Sequence, residues 1–369
     1  MKFWNNLTFR QKLYQLCMHA FALFGMAVLA AWILYQSGVS NNSGGADKNN
    51  RYLADYKHSS VAGASQGHLN MDCYLDLVLM SKMYPQNAEL IYQADKYGHH
   101  PQALSRMVYA ANLYLQSDTN AEQYNAARSQ IARIYNQYQV RTQEENIIPW
   151  MNDSNWAVLK DALARDSVAI RQAAKLTGVD ARLIVGCTVG EQLRLFNTKR
   201  EQIKRYLGPV AMTVQSQFSY GINGIKEATA IKVEKHLKDS ASPFYMGPQY
   251  AHILDFSTED TTEERKARLT DWHHHLYSYI YTACVLKQTM LQWKRAGYDI
   301  SDRPEILFTL FNLGFNASKP HADPQCGGAN IEVNNRMYTF GGLGYDFFYS
   351  GELAQIYPMS RYLFTEDSN

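Results

Sequence analysis

The chain has 369 residues, of which 46% are hydrophobic and 19% are charged, and this composition is typical of a globular protein rather than a disordered one. Its length is sufficient for two domains with separate cores. The formal net charge is only +2, so the charge balance gives no indication of nucleic acid as a partner.

The first predicted element is an apolar helix at residues 17–35, a stretch of 19 residues that contains no Asp, Glu, Lys or Arg. This length is enough to cross the hydrocarbon layer of a membrane. Lys2, Arg10 and Lys12 precede the span and the next basic residue is Lys48, so the positive-inside rule predicts a cytoplasmic N-terminus and an exported remainder. A cleaved signal peptide would have a shorter apolar region that ends in small residues. An uncleaved, single-pass membrane anchor is therefore favoured, with residues 1–35 as cytoplasmic tail and anchor.

Residues 36–69 are predicted to form a flexible tether, because the stretch after the span is rich in Ser, Asn and Gly. Helical periodicity then predicts a helical region at residues 70–150. Its candidate helices lie at residues 74–84, 101–116 and 121–138. We expect this region to be a spacer, or a docking element for a protein partner in the cell envelope.

The remaining residues, 151–369, are predicted to form a mainly helical domain that begins after the break at Pro149. Helices are expected at residues 156–163, 166–177, 180–196, 226–238, 269–296 and 304–314. Short strands are expected within residues 331–338, and the glycine-rich segment 316–344 is expected to be irregular.

The spacing of the Cys and His residues does not indicate a metal site. Asp271 and the three following histidines, 273–275, are expected on one helix, where adjacent side chains point about 100° apart and cannot converge on one ion. No metal and no cofactor is therefore expected. Four cysteines would face an oxidising compartment, either in disulfides or as buried free thiols: Cys73, Cys187, Cys284 and Cys326.

The helix predicted at residues 180–196 carries a carboxylate on an apolar face. Asp180 is expected to cap its N-terminus, and Glu191 follows apolar residues such as Ile184 at helical spacing. Burial destabilises the charged form of a carboxylate, which suits a general acid. Alternatively, Glu191 lies at the rim of the helix and pairs with Arg194.

Two later segments extend this candidate site. Residues 219–229 are a Gly-rich turn (the glycine turn) that leads into a helix, and Gly221 and Gly224 would let its backbone approach a ligand closely. A plain turn before a helix is the alternative. Residues 306–315 are an apolar helix that ends in Asn-Leu-Gly. Its Asn312 either caps the helix or, if buried beside a carboxylate, holds that group or the substrate by hydrogen bonds.

The order of these three segments resembles the lytic transglycosylases of the lysozyme superfamily. That family carries a helix similar to residues 178–192 here, then a motif S-x-x-G-A-x-G-L-M-Q similar to residues 219–226, and then a helix end Y-N-x-G similar to residues 311–314. The resemblance covers roughly residues 166–352, about half of the chain. It implies a lysozyme-like fold, all-α or α+β, for residues 151–369.

The resemblance also implies cleavage of peptidoglycan glycan strands at the linkage between N-acetylmuramic acid and N-acetylglucosamine. Glu191 would protonate the bridging oxygen and then act as base on the C6 hydroxyl, which closes a 1,6-anhydro ring without water. Tyr345, in a segment rich in glycine and aromatic residues, is a candidate wall of the glycan groove. The expected substrate-binding residues are Ser219, Gly221, Gly224, Ile225, Asn312 and Tyr345.

Three positions depart from the family pattern. Gln192 stands where the family has Ser, Phe311 where it has Tyr, and Lys226 or Glu227 where it has Gln. These departures leave open whether the product is anhydro or hydrolysed. For hydrolysis, Glu227 is the nearest candidate in the sequence for a second carboxylate. The alternative function is that of a catalytically inactive glycan-binding or scaffolding protein of the cell envelope.

Overall fold

The computed structural model describes residues 71–98, 103–117, 121–129, 145–197, 222–271 and 273–359, together with residues 18, 19, 21, 22, 24–26 and 29. The chain divides into two compact units, residues 1–43 and residues 44–369. The described residues of the first unit are helical, and apolar side chains such as Phe21 and Phe24 are exposed there. Within the described residues, no helix is both long enough and apolar enough to cross a membrane. Most of the predicted span 17–35, and the whole predicted tether 36–69, lie outside the described residues.

The second unit is mainly α, as the sequence predicts. Its helices are α1 (Met71–Met83), α2 (Pro85–Tyr97), α3 (Ala103–Leu115), α4 (Ala121–Ser129), α5 (Ser154–Arg165), α6 (Ser167–Thr177), α7 (Ala181–Asn197), α8 (Glu227–Lys238), α9 (Thr261–Thr270), α10 (Leu276–Arg295), α11 (Pro304–Leu313) and α12 (Phe340–Tyr349). Strands β1 (Asn330–Val333) and β2 (Arg336–Thr339) form an antiparallel hairpin. Asn334 and Asn335 connect them with φ of 50° and 60°, as a type I′ turn requires.

Two of the predicted elements are wrong. The single helix expected at residues 269–296 is two helices, α9 and α10, because the Asp271 Oδ1 atom accepts hydrogen bonds from the backbone N–H groups of His273 (2.8 Å) and His274 (3.0 Å) and turns the chain. The segment 316–344, expected to be irregular apart from the short strands predicted at 331–338, also contains the beginning of α12, whereas the strands lie where they were predicted. Helix α2 was not predicted.

Helix α7 is the centre of the second unit. It contacts α5, α6, α10, α11, α12 and β1. Every residue from 182 to 191 is buried, so the apolar face predicted around Glu191 extends around the whole helix. A helix that is buried on all sides belongs in the interior of a multi-helix core.

Glycine residues allow α7, α11 and α12 to approach each other closely. A Cβ atom on Gly186 of α7, or on Gly344 of α12, would overlap the ring of Phe308 of α11. A Cβ atom on Gly341 would overlap the Thr309 hydroxyl in the same way. These glycines are therefore required by the close packing of helices, which is why α12 is helical despite its glycine content.

Arg182 of α7 is completely buried and binds the end of α12. Its guanidinium donates hydrogen bonds to the backbone carbonyls of Phe347 (2.8 Å), Phe348 (2.7 Å), Glu352 (2.8 Å) and Tyr357 (3.2 Å). Burial lowers the pKa of Arg182 to about 10, so the side chain is still a cation at neutral pH. A cation at this place satisfies carbonyls that a helix end leaves without partners, and it opposes the negative end of the helix dipole.

Residues of the predicted helical region 70–150 contact α12 directly. The Tyr114 hydroxyl (2.6 Å) and the Trp150 indole N–H (3.0 Å) both donate to the Oδ2 atom of Asp346. Arg106 also donates to the Tyr349 hydroxyl, at 3.2 Å. Burial raises the pKa of Asp346 to about 7, against the effect of its two hydrogen-bond donors.

We expect Arg182→Met to lower the free energy of unfolding of the full chain by about 3 kcal/mol or more, because several buried carbonyls lose the hydrogen bonds that the guanidinium donates to them. Urea denaturation followed by tryptophan fluorescence measures the change. The control is Arg171→Met on the exposed side of the neighbouring helix α6, which we expect to stay within about 0.5 kcal/mol of wild type. Equal stability of the two variants would contradict the assigned role of Arg182.

We expect Asp346→Asn to change how stability depends on pH. Because the pKa of Asp346 is raised from 3.8 to about 7 on folding, its contribution is fully present below about pH 4 and is lost as pH rises through 7. The loss amounts to at most about 4 kcal/mol. The stability of the variant relative to wild type should therefore rise between pH 4 and pH 8. Parallel urea-midpoint profiles of the two proteins over that range would refute this.

Candidate functional site

Glu191 lies in the C-terminal half of α7, and only 4% of the residue is exposed. Arg194, one turn later, donates to its Oε2 atom from Nη2 (2.5 Å) and from Nε (3.1 Å). Among the described residues, none donates a hydrogen bond to Oε1. The carboxylate is thus both buried and paired, which combines the two alternatives drawn from the sequence. The guanidinium compensates for the burial of the negative charge and leaves one carboxylate oxygen for other contacts.

The residues on either side of Glu191 determine the direction in which it points. Successive residues of an α-helix are rotated by about 100°. Gly190 faces the ring of Phe340, since a Cβ atom there would lie 2.6 Å from that ring. On the opposite flank, the Gln192 side-chain amide donates to the carbonyl oxygen of Ile222 at 2.5 Å. Glu191 therefore faces the sector between the first residue of α12 and the glycine turn.

The described part of the glycine turn is attached to two helices. Gln192 binds it to α7, as above. Asn223 is buried, and its side-chain amide donates to the hydroxyl of Thr282 on α10 at 2.8 Å. Neither Asn223 nor Thr282 was singled out in the sequence. The sequence feature that could have indicated Asn223 is its amide side chain directly before Gly224, in a turn that must also pack against helices.

The four predicted binding residues of the glycine turn are described only in part. Gly224 has φ of 60°, the left-handed region that favours glycine, so the turn requires it there. Ile225 is 4% exposed and packs in the core. Ser219 and Gly221 lie outside the described residues. Contact of these four residues with a glycan stays a prediction.

Asn312 lies in the last turn of α11 and binds the loop before the hairpin. Its Oδ1 atom accepts a hydrogen bond from the backbone N–H of Ala329 at 2.8 Å. Gly328 fits between this oxygen and Phe340, because a Cβ atom at Gly328 would lie 3.1 Å from the first and 3.0 Å from the second. Within the described residues, no hydrogen bond joins Asn312 to Glu191. Asn312 thus fixes the loop at residues 328 and 329, which lies against Phe340 at one side of the sector that Glu191 faces.

Tyr345 occupies a different environment from the one expected. Only 2% of the residue is exposed, and its ring centroid lies 4.9 Å from that of Tyr349. In this conformation the side chain packs in the core, because the glycine and aromatic residues around it build the buried helix α12. Its predicted role as a groove wall stays a prediction.

Glu227, the candidate second carboxylate, begins helix α8. Its Oε1 atom is 4.0 Å from the guanidinium of Arg265. Arg265 in turn forms a two-pronged ion pair with Glu234, with both N–O distances at 2.7 Å. Glu227 is therefore associated with a charge cluster between α8 and α9 and with the positive end of the α8 dipole. Lys226, directly before it, is exposed.

The cysteines and histidines contribute no metal site in the part of the chain that the structure describes, where no group of three or more His, Cys, Asp or Glu could hold an ion. The ring of His275 binds Asp166, with Nδ1 and Oδ2 at 2.6 Å.

Burial, and to a smaller extent the negative charge of Glu191, raise the pKa of the Cys187 thiol. The described cysteines are free thiols: Cys73, Cys187, Cys284 and Cys326.

Comparison with known proteins assigns no family to this site. The chain matches no family model, no curated protein and no solved structure. The site is therefore characterised by its own geometry and by the resemblance of three short segments to the lytic transglycosylases.

Proposed function

We propose that the chain cleaves peptidoglycan at the linkage between N-acetylmuramic acid and N-acetylglucosamine, as a lytic transglycosylase with a lysozyme-like fold. The observation that carries the proposal is the state of Glu191. This carboxylate is buried, is held through Oε2 by Arg194, and has no described donor on Oε1. It faces the sector between Phe340 and the glycine turn, where the resemblance expects the glycan.

The proposed reaction needs one carboxylate. Glu191 gives a proton to the glycosidic oxygen as the bond from that oxygen to C1 breaks, and the acetamido group of the substrate stabilises the positive charge at C1. The resulting carboxylate then takes the proton of the C6 hydroxyl, and O6 bonds to C1. Arg194 keeps Oε2 in place, so that Oε1 is the atom that loses and regains the proton.

We further propose that the chain is held at the cytoplasmic membrane by residues 17–35 and that the rest is extracytoplasmic. The support is the charge-free apolar stretch, the basic residues before it and the polar tether after it. This arrangement would bring the catalytic domain to the compartment that contains peptidoglycan. In this proposal, residues 70–150 are available to an envelope protein partner.

A second candidate function has its own supporting observation. An ion pair with Arg194 at 2.5 Å is also what a purely structural buried carboxylate needs. Together with the departures at Gln192 and Phe311, it favours a glycan-binding or scaffolding protein that retains the fold without turnover. The two candidates differ in a single property, which is the release of fragments from peptidoglycan.

The test is digestion of purified sacculi by the full chain in detergent, with wild type compared with Glu191→Gln. Gln keeps the size of Glu191 and an oxygen for Arg194 but cannot transfer the proton. We expect it to lower the rate of soluble muropeptide release by at least about 100-fold. The matched control is Glu263→Gln, a change at an exposed position of α9 that should leave the rate unchanged.

Release by wild type and by the control, but not by Glu191→Gln, supports catalysis by Glu191. Release by all three proteins would remove Glu191 from the mechanism. If none of them releases muropeptides while all of them sediment with sacculi, the scaffolding function is the correct one. Melting temperatures of the three proteins show whether a loss of activity is a loss of folding.

A further inference from the structure

Asn223 forms an unusual buried contact in the glycine turn. The residue is 1% exposed, and its amide nitrogen donates to the hydroxyl oxygen of Thr282. Its other side-chain atom, Oδ1, is buried without a hydrogen-bond partner among the described residues. The same is true of the hydroxyl of Ser278, one turn before Thr282 on α10. The Thr282 hydroxyl itself donates to the backbone carbonyl of Ser278 at 2.9 Å.

The contact between Asn223 and Thr282 is expected to contribute little to the free energy of unfolding. A buried polar atom without a partner destabilises the folded state, whereas two apolar side chains of similar shape at the same positions would avoid that loss. A hydrogen bond has one property that an apolar contact lacks, which is that it is directional and so restrains the relative position of the two groups. The Asn223–Thr282 bond therefore has the character of a positioning contact.

The position that this bond specifies is that of the glycine turn relative to Glu191. Ile222 is bound by Gln192, the residue directly after Glu191, and the next residue of the turn is bound by Thr282 of α10. Two consecutive residues of the turn are thus attached to two different helices. Gly224 then reverses the chain in the left-handed region. With either attachment removed, the turn would be free to shift relative to the carboxylate.

We propose that Asn223 and Thr282 are positioning residues: their hydrogen bond holds residues 222–226 of the glycine turn at a set distance from Glu191. The catalytic consequence rests on the function proposed above, because it requires that the turn binds the glycan that Glu191 cleaves. The positional claim itself is independent of that function.

The test compares Thr282→Val, which keeps the shape of the side chain and removes the hydroxyl, with Thr282→Ser, which keeps the hydroxyl. Hydrogen exchange of the backbone amides at residues 222–226 is measured in the full chain. We expect exchange there to be about tenfold faster in Thr282→Val and close to wild type in Thr282→Ser, with exchange in the rest of α7 and α10 unchanged. Asn223→Ala is a second variant that removes the same bond from the other side.

The kinetic arm uses a soluble glycan oligomer. We expect Thr282→Val to lower kcat by about tenfold or more at nearly constant KM, because the turn still binds the glycan but no longer aligns the glycosidic bond with Glu191. Thr282→Ser is expected to keep a kcat close to that of wild type. A purely structural contact would instead change the melting temperature and the amount of folded protein.

Unchanged exchange at residues 222–226 in both Thr282→Val and Asn223→Ala overturns the positional claim, as does faster exchange spread over the whole domain. Faster local exchange with unchanged kcat overturns the catalytic part of the proposal. If wild type itself does not cleave the oligomer, the proposed function fails, and the exchange measurement alone still decides whether the bond positions the turn.

Discussion

The guanidinium of Arg182 is buried at the centre of the fold and binds the backbone carbonyls at which α12 ends. The removal of this cation from water is unfavourable, and only a set of well-placed acceptors makes it tolerable. The geometry of this one side chain therefore helps to fix the position of α12 against α7. The close approach of the two helices, with Phe308 packed between Gly186 and Gly344, depends on that position.

The candidate site is built on the same pair of helices. Phe340, the first residue of α12, lies against Gly190 and thereby forms one side of the sector that Glu191 faces. Helices of the region 70–150 contact the other end of α12 through the hydrogen bond from Tyr114 to Asp346. A displacement of α12 would therefore change both the candidate site and the contact with the helices of the region 70–150.

Arg182 and Glu191, both on α7, differ in how completely their hydrogen-bonding capacity is satisfied. Arg182 donates to several carbonyls and has the character of a structural cation. Glu191 has one oxygen bound by Arg194 and one without a described donor. The second carboxylate oxygen is therefore open to a further contact, which a proton-transfer role requires. That difference is the physical basis for assigning the chemistry to Glu191.

Much of the fold could be predicted from the sequence, and the failures have separate physical causes. The 3.6-residue periodicity predicts α7, and Asp180 caps it as expected, with its Oδ1 atom accepting from the Arg182 N–H at 2.6 Å. The glycines of α12 lead to the wrong prediction of an irregular segment, because the sequence alone does not distinguish a glycine that permits close helix packing from one that breaks a helix. Only the tertiary contact with Phe308 distinguishes the two cases. The Asn223–Thr282 bond joins residues that are 59 positions apart, so no local pattern could predict it.

The central claim is that Glu191 alone breaks the glycosidic bond, with the C6 hydroxyl of the substrate in place of water. Digestion of sacculi in water enriched in oxygen-18, followed by mass spectrometry of the released muropeptides, tests it most directly. We expect 1,6-anhydro ends that contain no heavy oxygen, because the ring oxygen comes from the sugar itself. Reducing ends that carry one heavy oxygen would contradict it, since they would require a second group that activates water.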